Sequence, residues 1–206
     1  MPKQTIADIV TANHSELTQM TYPQLVEWGK ERWNSQAGFS TYKRALKASG
    51  INIDLMAINH RQDKADALAA KATHHITLIV DGYAKYSRFA VCDGQGVPLW
   101  YGKNFDGHDH QADAERDAAE KAVWLAGKIR EAKGADAITL TLKTDAQFLT
   151  YSHDPKNPGS LLKAKAAKLG VALSLEWIPS DQNPADPYTR AQGFKKWQEN
   201  DLTTVC

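Results

Sequence analysis

Residues 112–132 form a helical pattern of about five turns, and an alternating apolar run at 137–144 follows it directly after a stop at Gly134. A helix between two strands makes a β-α-β unit, and such a unit favours parallel pairing of its strands. Strands do precede this helix. The stretches 76–82, 86–92 and 97–105 have strand character, and Asp93-Gly94-Gln95-Gly96 between the last two is a hairpin turn sequence. Beyond the helix and its strand, residues 146–152 suit a short helix and 155–159 a loop. A Lys- and Ala-rich helix is expected at 160–169, an alternating strand at 171–178 and a last helix from near Asn183. The order β-β-β-α-β-α-β-α predicts an α/β mixed sheet of five strands. Three antiparallel strands come first, then a β-α-β-α-β tail, with helices on the faces.

Residues 1–60 read as a small all-helical module. Ile6–Val10 is a short apolar helix. Thr21 caps a second, with Pro23 in its first turn and Leu25, Trp28 and Trp33 following. Ser40 caps a third, which Gly50 closes. Residues 61–74 are charged and alanine-rich and read as a helical linker, which leaves 75–206 as the second domain.

A hydrophobic content of 42% suits a globular protein with a real core. The net charge of +1 gives no global drive toward nucleic acid, so any such affinity must come from local patches. The only cysteines are Cys92 and Cys206, without a CxxC pair, which argues against a disulfide framework or a thiolate zinc site. The N-terminus lacks the apolar core of a signal peptide. No run approaches the roughly 20 apolar residues that span a bilayer. The expectation is a cytoplasmic protein with no membrane partner.

Four acidic residues fall where separate elements can converge. Asp81 ends the apolar run 76–80, Asp145 ends the strand at 137–144, and Asp186 falls in the first turn of the last helix, third after an N-cap at Asn183 and a first residue at Pro184. Glu115 lies in the first turn of the long helix. At 100° per residue, Ala118, Ala119, Ala122, Val123, Ala126 and Ile129 all lie within about 80° of it. That places Glu115 on the stripe that packs against the sheet, whereas Asp113, Asp117 and Glu120 point outward; Glu120 takes its place if the helix register shifts. Each acid has an ordinary reading. Asp81-Gly82 is a turn pair, Asp145 sits where a helix N-cap sits, and acids at helix starts complement the dipole. A buried carboxylate without a partner is costly, and a cation relieves that cost. Carboxylates converging from several elements are also what two-metal phosphodiester chemistry requires, with Mg²⁺ or Mn²⁺ as the ions that hard oxygen ligands suit.

Four segments together resemble the ribonuclease H-like superfamily: Val80-Asp81-Gly82-Tyr83, 113–119, Thr144–Leu149 and 177–190. The last, containing Asn183-Pro184-Ala185-Asp186 and Arg190, is most similar to the ribonuclease H domains of retroelement reverse transcriptases. The resemblance covers roughly 75–200. It implies a five-stranded mixed sheet with three antiparallel strands first. It further implies that Asp81, Glu115, Asp145 and Asp186 bind two Mg²⁺ or Mn²⁺ ions and that the enzyme cuts the RNA strand of RNA–DNA hybrids. In that scheme Asp81 and Asp145 bridge or flank the metals, Glu115 holds one and orients the attacking water, and Asp186 completes the second site. The alternative is an inactive copy that binds nucleic acid or a protein. It draws on Gly82-Tyr83 and Ala146, which stand where the family often has small hydroxyl residues, and on the loop 179–183, which lacks the histidine of many cellular members.

Two basic groups are candidate nucleic-acid contacts. Lys163, Lys165 and Lys168 form a strip on one helix, and Lys43, Arg44 and Lys47 stand among aromatics in the N-terminal module. A solvated helix face and a self-contained helical bundle are the competing readings. His108-Asp109-His110 fits a polar loop better than a zinc site, and Trp177 reads as core.

Overall fold

The computed structural model describes residues 4–104, 107–151 and 156–205. It divides into two compact units, 1–60 and 61–206.

The first unit holds α1 (Ile6–Ala12), α2 (His14–Leu17), α3 (Tyr22–Arg32), α4 (Gln36–Ala48) and the start of α5 (Ile53–Lys71). Thr5 closes a capping box with Asp8 at the start of α1, and Thr21 does the same with Gln24 at α3, where Pro23 sits in the first turn. The expected cap at Ser40 is wrong. α4 begins five residues' span earlier in the loop after Trp33: the Ser35 hydroxyl accepts from the Gly38 amide at 3.1 Å, and Ser40 lies inside the helix. Gly38 is part of the first turn because it lies beneath the Trp33 side chain, 3.1 Å from where a Cβ would stand. The aromatics form the unit's own core. Tyr42 is fully buried, its ring 5.2 Å from Trp33 and 5.6 Å from Trp28, and its hydroxyl donates to the Leu25 carbonyl. The charged stretch after residue 60 continues α5 without a break as far as Lys71.

The second unit is built on a five-stranded sheet in the order β3-β2-β1-β4-β5. Its strands are β1 (His74–Tyr83), β2 (Arg88–Asp93), β3 (Pro98–Lys103), β4 (Ile138–Thr144) and β5 (Val171–Trp177). β1 pairs antiparallel with β2 and parallel with β4; β2–β3 is antiparallel and β4–β5 parallel. This is the mixed sheet the pattern predicts. β2 starts at Arg88 rather than residue 86, because Ala84–Tyr86 makes a 3₁₀ turn and Ser87 takes a left-handed conformation.

The long helix α6 (Gln111–Ala132) lies on one face, with α7 (Gln147–Thr150), α8 (Pro158–Lys168) and, after β5, the terminal α10 (Glu199–Thr204). Ile76, Leu78, Val80, Leu140 and Leu142 meet Ala118, Ala122, Val123, Ala126 and Ile129 of α6 there. α8 starts two residues before the expected 160, since the Asn157 side chain caps it through Gly159 and Pro158 supplies its first residue. On the other face Ile79, Ala90 and Cys92 pack under α9 (Asp186–Arg190) through Ala185 and Tyr188. The expected loop at 155–159 falls partly outside the described residues, as do Cys206 and part of the run 97–105. Among the described residues, no helix is long and apolar enough to cross a membrane.

Candidate metal centre

β1 and β4 run parallel and in register, with Val80 beside Thr144. The residues that follow, Asp81 and Asp145, therefore stand at neighbouring strand positions. By alternation along β1, Asp81 shares the face of Ile79, under α9, whereas Val80 and Gly82 face α6. Glu115 comes from α6 on the opposite face. It reaches the same spot because Gly82 lets the helix close on the strand: a Cβ there would stand 2.2 Å from the Ala114 carbonyl oxygen. The Gly82 amide then donates to Glu115 Oε2 at 3.1 Å. Gln111, one turn earlier, donates through Nε2 to Glu115 Oε1 at 2.6 Å and to the Gly82 carbonyl.

Asp81, Glu115 and Asp145 each place a carboxylate oxygen within 4.8 Å of the other two, the one such group of His, Cys, Asp or Glu among the described residues. Asp81 is only 4% exposed and Glu115 6%. Burial first, then repulsion from Asp145 and Asp186, pushes Asp81 up to about 7 against the pull of the Thr189 hydrogen bond and Arg190. Burial and repulsion from Asp81 and Asp145 push Glu115 up to about 8, opposed by Gln111 and the Gly82 amide. The cluster is thus three crowded carboxylates short of positive charge. An all-oxygen donor set of this kind fits a hard divalent cation.

Asp186 borders the cluster without joining that triad. Its carboxylate is gripped by Arg190, whose Nε lies 3.1 and 3.0 Å from the two oxygens and whose terminal nitrogen lies 2.7 Å from Oδ1. Arg190 also stands 5.0 Å over the Tyr83 ring. Glu120 is excluded as the helix ligand, since it faces away and pairs with Lys165 at 2.5 Å.

Three positioning residues were not legible as such in the sequence. Asn183 has the composition of a helix cap, but the last helix starts only at Asp186. Asn183 instead closes a 3₁₀ turn at Ser180–Gln182, and its side chain folds inward. Its Nδ2 donates to the Val80 carbonyl at 3.0 Å and to Asp145 Oδ1 at 3.2 Å, while Oδ1 accepts from Ala185 N. It ties β1, Asp145 and the α9 segment together. The buried Thr189 hydroxyl lies 2.6 Å from Asp81 Oδ2 and 2.8 Å from the Asp186 carbonyl. Gln111 carried one usable signal, its place four residues before Glu115. Asp145 caps no helix; Thr144 Oγ1 accepts from the Ala146 amide instead. Trp177, expected in the core, is half exposed and donates to the Asp145 carbonyl.

The basic candidates are divided. Lys165 and Lys168 line a groove of about 680 Å³ between α6 and α8, together with Arg116 and Lys156; Lys163 does not. Lys43 pairs with Asp54 at 3.4 Å, Arg44 donates to the Thr41 hydroxyl, and Lys47 is exposed. His108 lies 3.4 Å from Asp117, with no metal-ligating group around it among the described residues.

Three antiparallel strands are followed by two parallel ones, and carboxylates meet where β1 and β4 end. The fold, a five-stranded mixed α/β sheet with helices, has the strand arrangement that the sequence resemblance implies. No family profile matches the chain, and no curated protein does. Solved structures do. The chain is similar to the crystal structure of RNase H1 from the halophilic archaeon Halobacterium salinarum NRC-1, with 20% identity and a TM-score of 0.38, over 56% of this chain and 95% of that one. It is similar also to LC11-RNase H1 in complex with an RNA/DNA hybrid, with 18% identity and a TM-score of 0.41, over 56% of this chain and 94% of that one.

Proposed function

We propose that the protein is a metal-dependent endonuclease that hydrolyses phosphodiester bonds, with the RNA strand of RNA–DNA hybrids as its substrate. The observation that carries this reading is the convergence of Asp81, Glu115 and Asp145 from two strands and a helix within 4.8 Å, with no lysine or arginine in a salt bridge to any of them among the described residues. A salt-bridge network would bring its own lysine or arginine, and the nearest guanidinium, Arg190, is bound to Asp186.

Asp81, Glu115 and Asp145 would hold Mg²⁺ or Mn²⁺, with Asp186 completing a second position. When bound, the ions supply charge to the phosphate and the leaving oxygen and make a water nucleophilic. The chain's own groups supply the placement. Gly82 and Gln111 orient Glu115, Thr189 orients Asp81, and Asn183 orients Asp145. Lys165, Lys168, Arg116 and Lys156 on the α6–α8 groove are the phosphate contacts this reading requires.

The test is cleavage of labelled RNA–DNA hybrid, duplex RNA, duplex DNA and single strands side by side in Mg²⁺ or Mn²⁺. Hybrid cleavage confined to the RNA strand, abolished by Asp145→Asn, is the expected result. Cleavage undiminished by that variant refutes the assignment. A protein that binds hybrid but cuts nothing is the binding-only alternative, which Ala146 and the histidine-free loop 179–183 favour.

A further inference from the structure

A hollow of about 590 Å³ opens at the end of the sheet where β1 stops, and it shares no residue with the carboxylate cluster. Lys85, Arg88, Lys103 and Arg190 line it, with Ser87 and Gln192, and no carboxylate among the described residues does. Gathering like charges costs energy that a shared anion removes. The net charge of the chain is only +1, so no general surplus of bases explains the gathering.

The fold sets the cations there. In the sheet's register Tyr83 stands beside Arg88, and Arg88 beside Lys103. By alternation this row shares the face of Asp81, Ala90 and Tyr101, over which α9 lies, and Arg190 of α9 stands 5.0 Å over the Tyr83 ring. Lys85 comes from the 3₁₀ turn between β1 and β2. That turn ends in a costly shape, since Ser87 is not a glycine yet has φ 48°. Two bonds from beyond β3 hold it. The Asn104 amide donates to the Ser87 carbonyl at 2.6 Å, and the His108 amide to the Ser87 hydroxyl at 3.3 Å. Arg88 donates to the Gly193 carbonyl and so anchors the segment that carries Gln192. Lys85 and Lys103 are exposed and form no salt bridge among the described residues; Lys85 lies 5.5 Å from the centre of the Tyr86 ring. Arg190 bonds Asp186 through Nε and one terminal nitrogen.

We propose that this hollow binds backbone phosphates of a nucleic-acid strand, a few nucleotides from the phosphodiester held at the carboxylates. Lys85 and Lys103 make the contacts. Neighbouring strands lie about 4.8 Å apart, so Lys103 on β3 stands about 10 Å across the sheet end from β1. That is roughly three steps of a nucleic-acid strand at about 3.4 Å each. Arg190 joins the two places, touching Asp186 on one side and lining the hollow on the other. A polymer with a phosphate at every step spans both at once; an isolated phosphate does not. The second phosphate at the carboxylates rests on the nuclease reading, whereas the hollow's hold on the backbone does not.

The experiment is binding of a short labelled RNA–DNA hybrid to the full chain in EDTA, across a series of salt concentrations. Lys85→Gln and Lys103→Gln should each flatten the slope of log affinity against log salt by about 0.9, and the double variant by about 1.8, with affinity roughly tenfold lower at moderate salt. Lys85→Arg and Lys103→Arg should keep the parent's slope. The melting temperature should not move in any of them, since both lysines are exposed and outside any salt bridge. In Mg²⁺ the double glutamine variant should raise KM for hybrid cleavage and leave kcat as it is. A parent that cuts nothing but shows these slopes in EDTA refutes the nuclease reading and upholds the hollow. Slopes that the glutamine variants leave unchanged, no measurable binding by the parent at low salt, or pyrophosphate binding as tightly as the hybrid overturns the proposal.

Discussion

Asp81→Asn should make the metal-free protein more stable at pH 8, although it removes a residue assigned to the active centre. The substitution keeps shape and an acceptor for the Thr189 hydroxyl, 2.6 Å away, and removes only the charge. A rise from 3.8 to about 7 corresponds to about 4 kcal/mol at a pH where the carboxyl is ionised both folded and unfolded. The folded-state value lies above the unfolded one, so the penalty falls on the folded, ionised form. Stability is full near pH 4 and is lost as the pH rises through 7. Glu115 shares the same repulsion, so a net gain of about 1–3 kcal/mol is expected at pH 8, or roughly 2–10 °C in melting temperature. Near pH 4 the gain should vanish. Urea unfolding of parent and variant in EDTA at the two pH values measures it. Destabilisation at pH 8, or a gain independent of pH, would show that Asp81 is not a strained carboxylate awaiting a cation.

Gly82→Ala tests how Glu115 gets to the strand. Moving its Cβ from 2.2 Å to an ordinary contact near 3.4 Å requires about 1.2 Å of helix displacement, with a cost of about 1–3 kcal/mol. Denaturation should show that loss, and metal titration should show weaker uptake as Glu115 is carried away. Asn183→Ala removes the side-chain hydrogen bond to the Val80 carbonyl and frees Asp145. It should cost about 1–3 kcal/mol in unfolding and weaken divalent-cation binding, whereas a residue that served only as a cap would affect stability alone.

The sheet was legible because each strand has its own periodicity and its own turn signal, as Asp93–Gly96 shows. Glu115 was legible for a similar reason: a polar residue on an apolar helical stripe conflicts with its surroundings, and the conflict marks the site. What the pattern missed are residues whose side chains act across chain distance. Asn183 looks like a cap locally and spends its amide 103 residues away on Val80. Thr189 reaches Asp81 across 108 residues, and nothing in its immediate sequence announces that. The expected cap at Ser40 gives way to Ser35: both are cap-type residues before the same apolar pattern, and it is the Ser35 hydroxyl that accepts from the Gly38 amide. Trp177, expected in the core, lies on the edge strand β5, half exposed, and donates to the Asp145 carbonyl.

Calorimetric titration of Mn²⁺ into the chelated protein, beside Asp145→Asn, tests the carboxylate centre most directly. Saturable uptake approaching two ions per chain, with proton release that grows as the pH falls below 8, is the predicted result, and the variant should lose it. Equal uptake by parent and variant, or no saturable uptake by either, would contradict the assignment of these carboxylates to a metal centre.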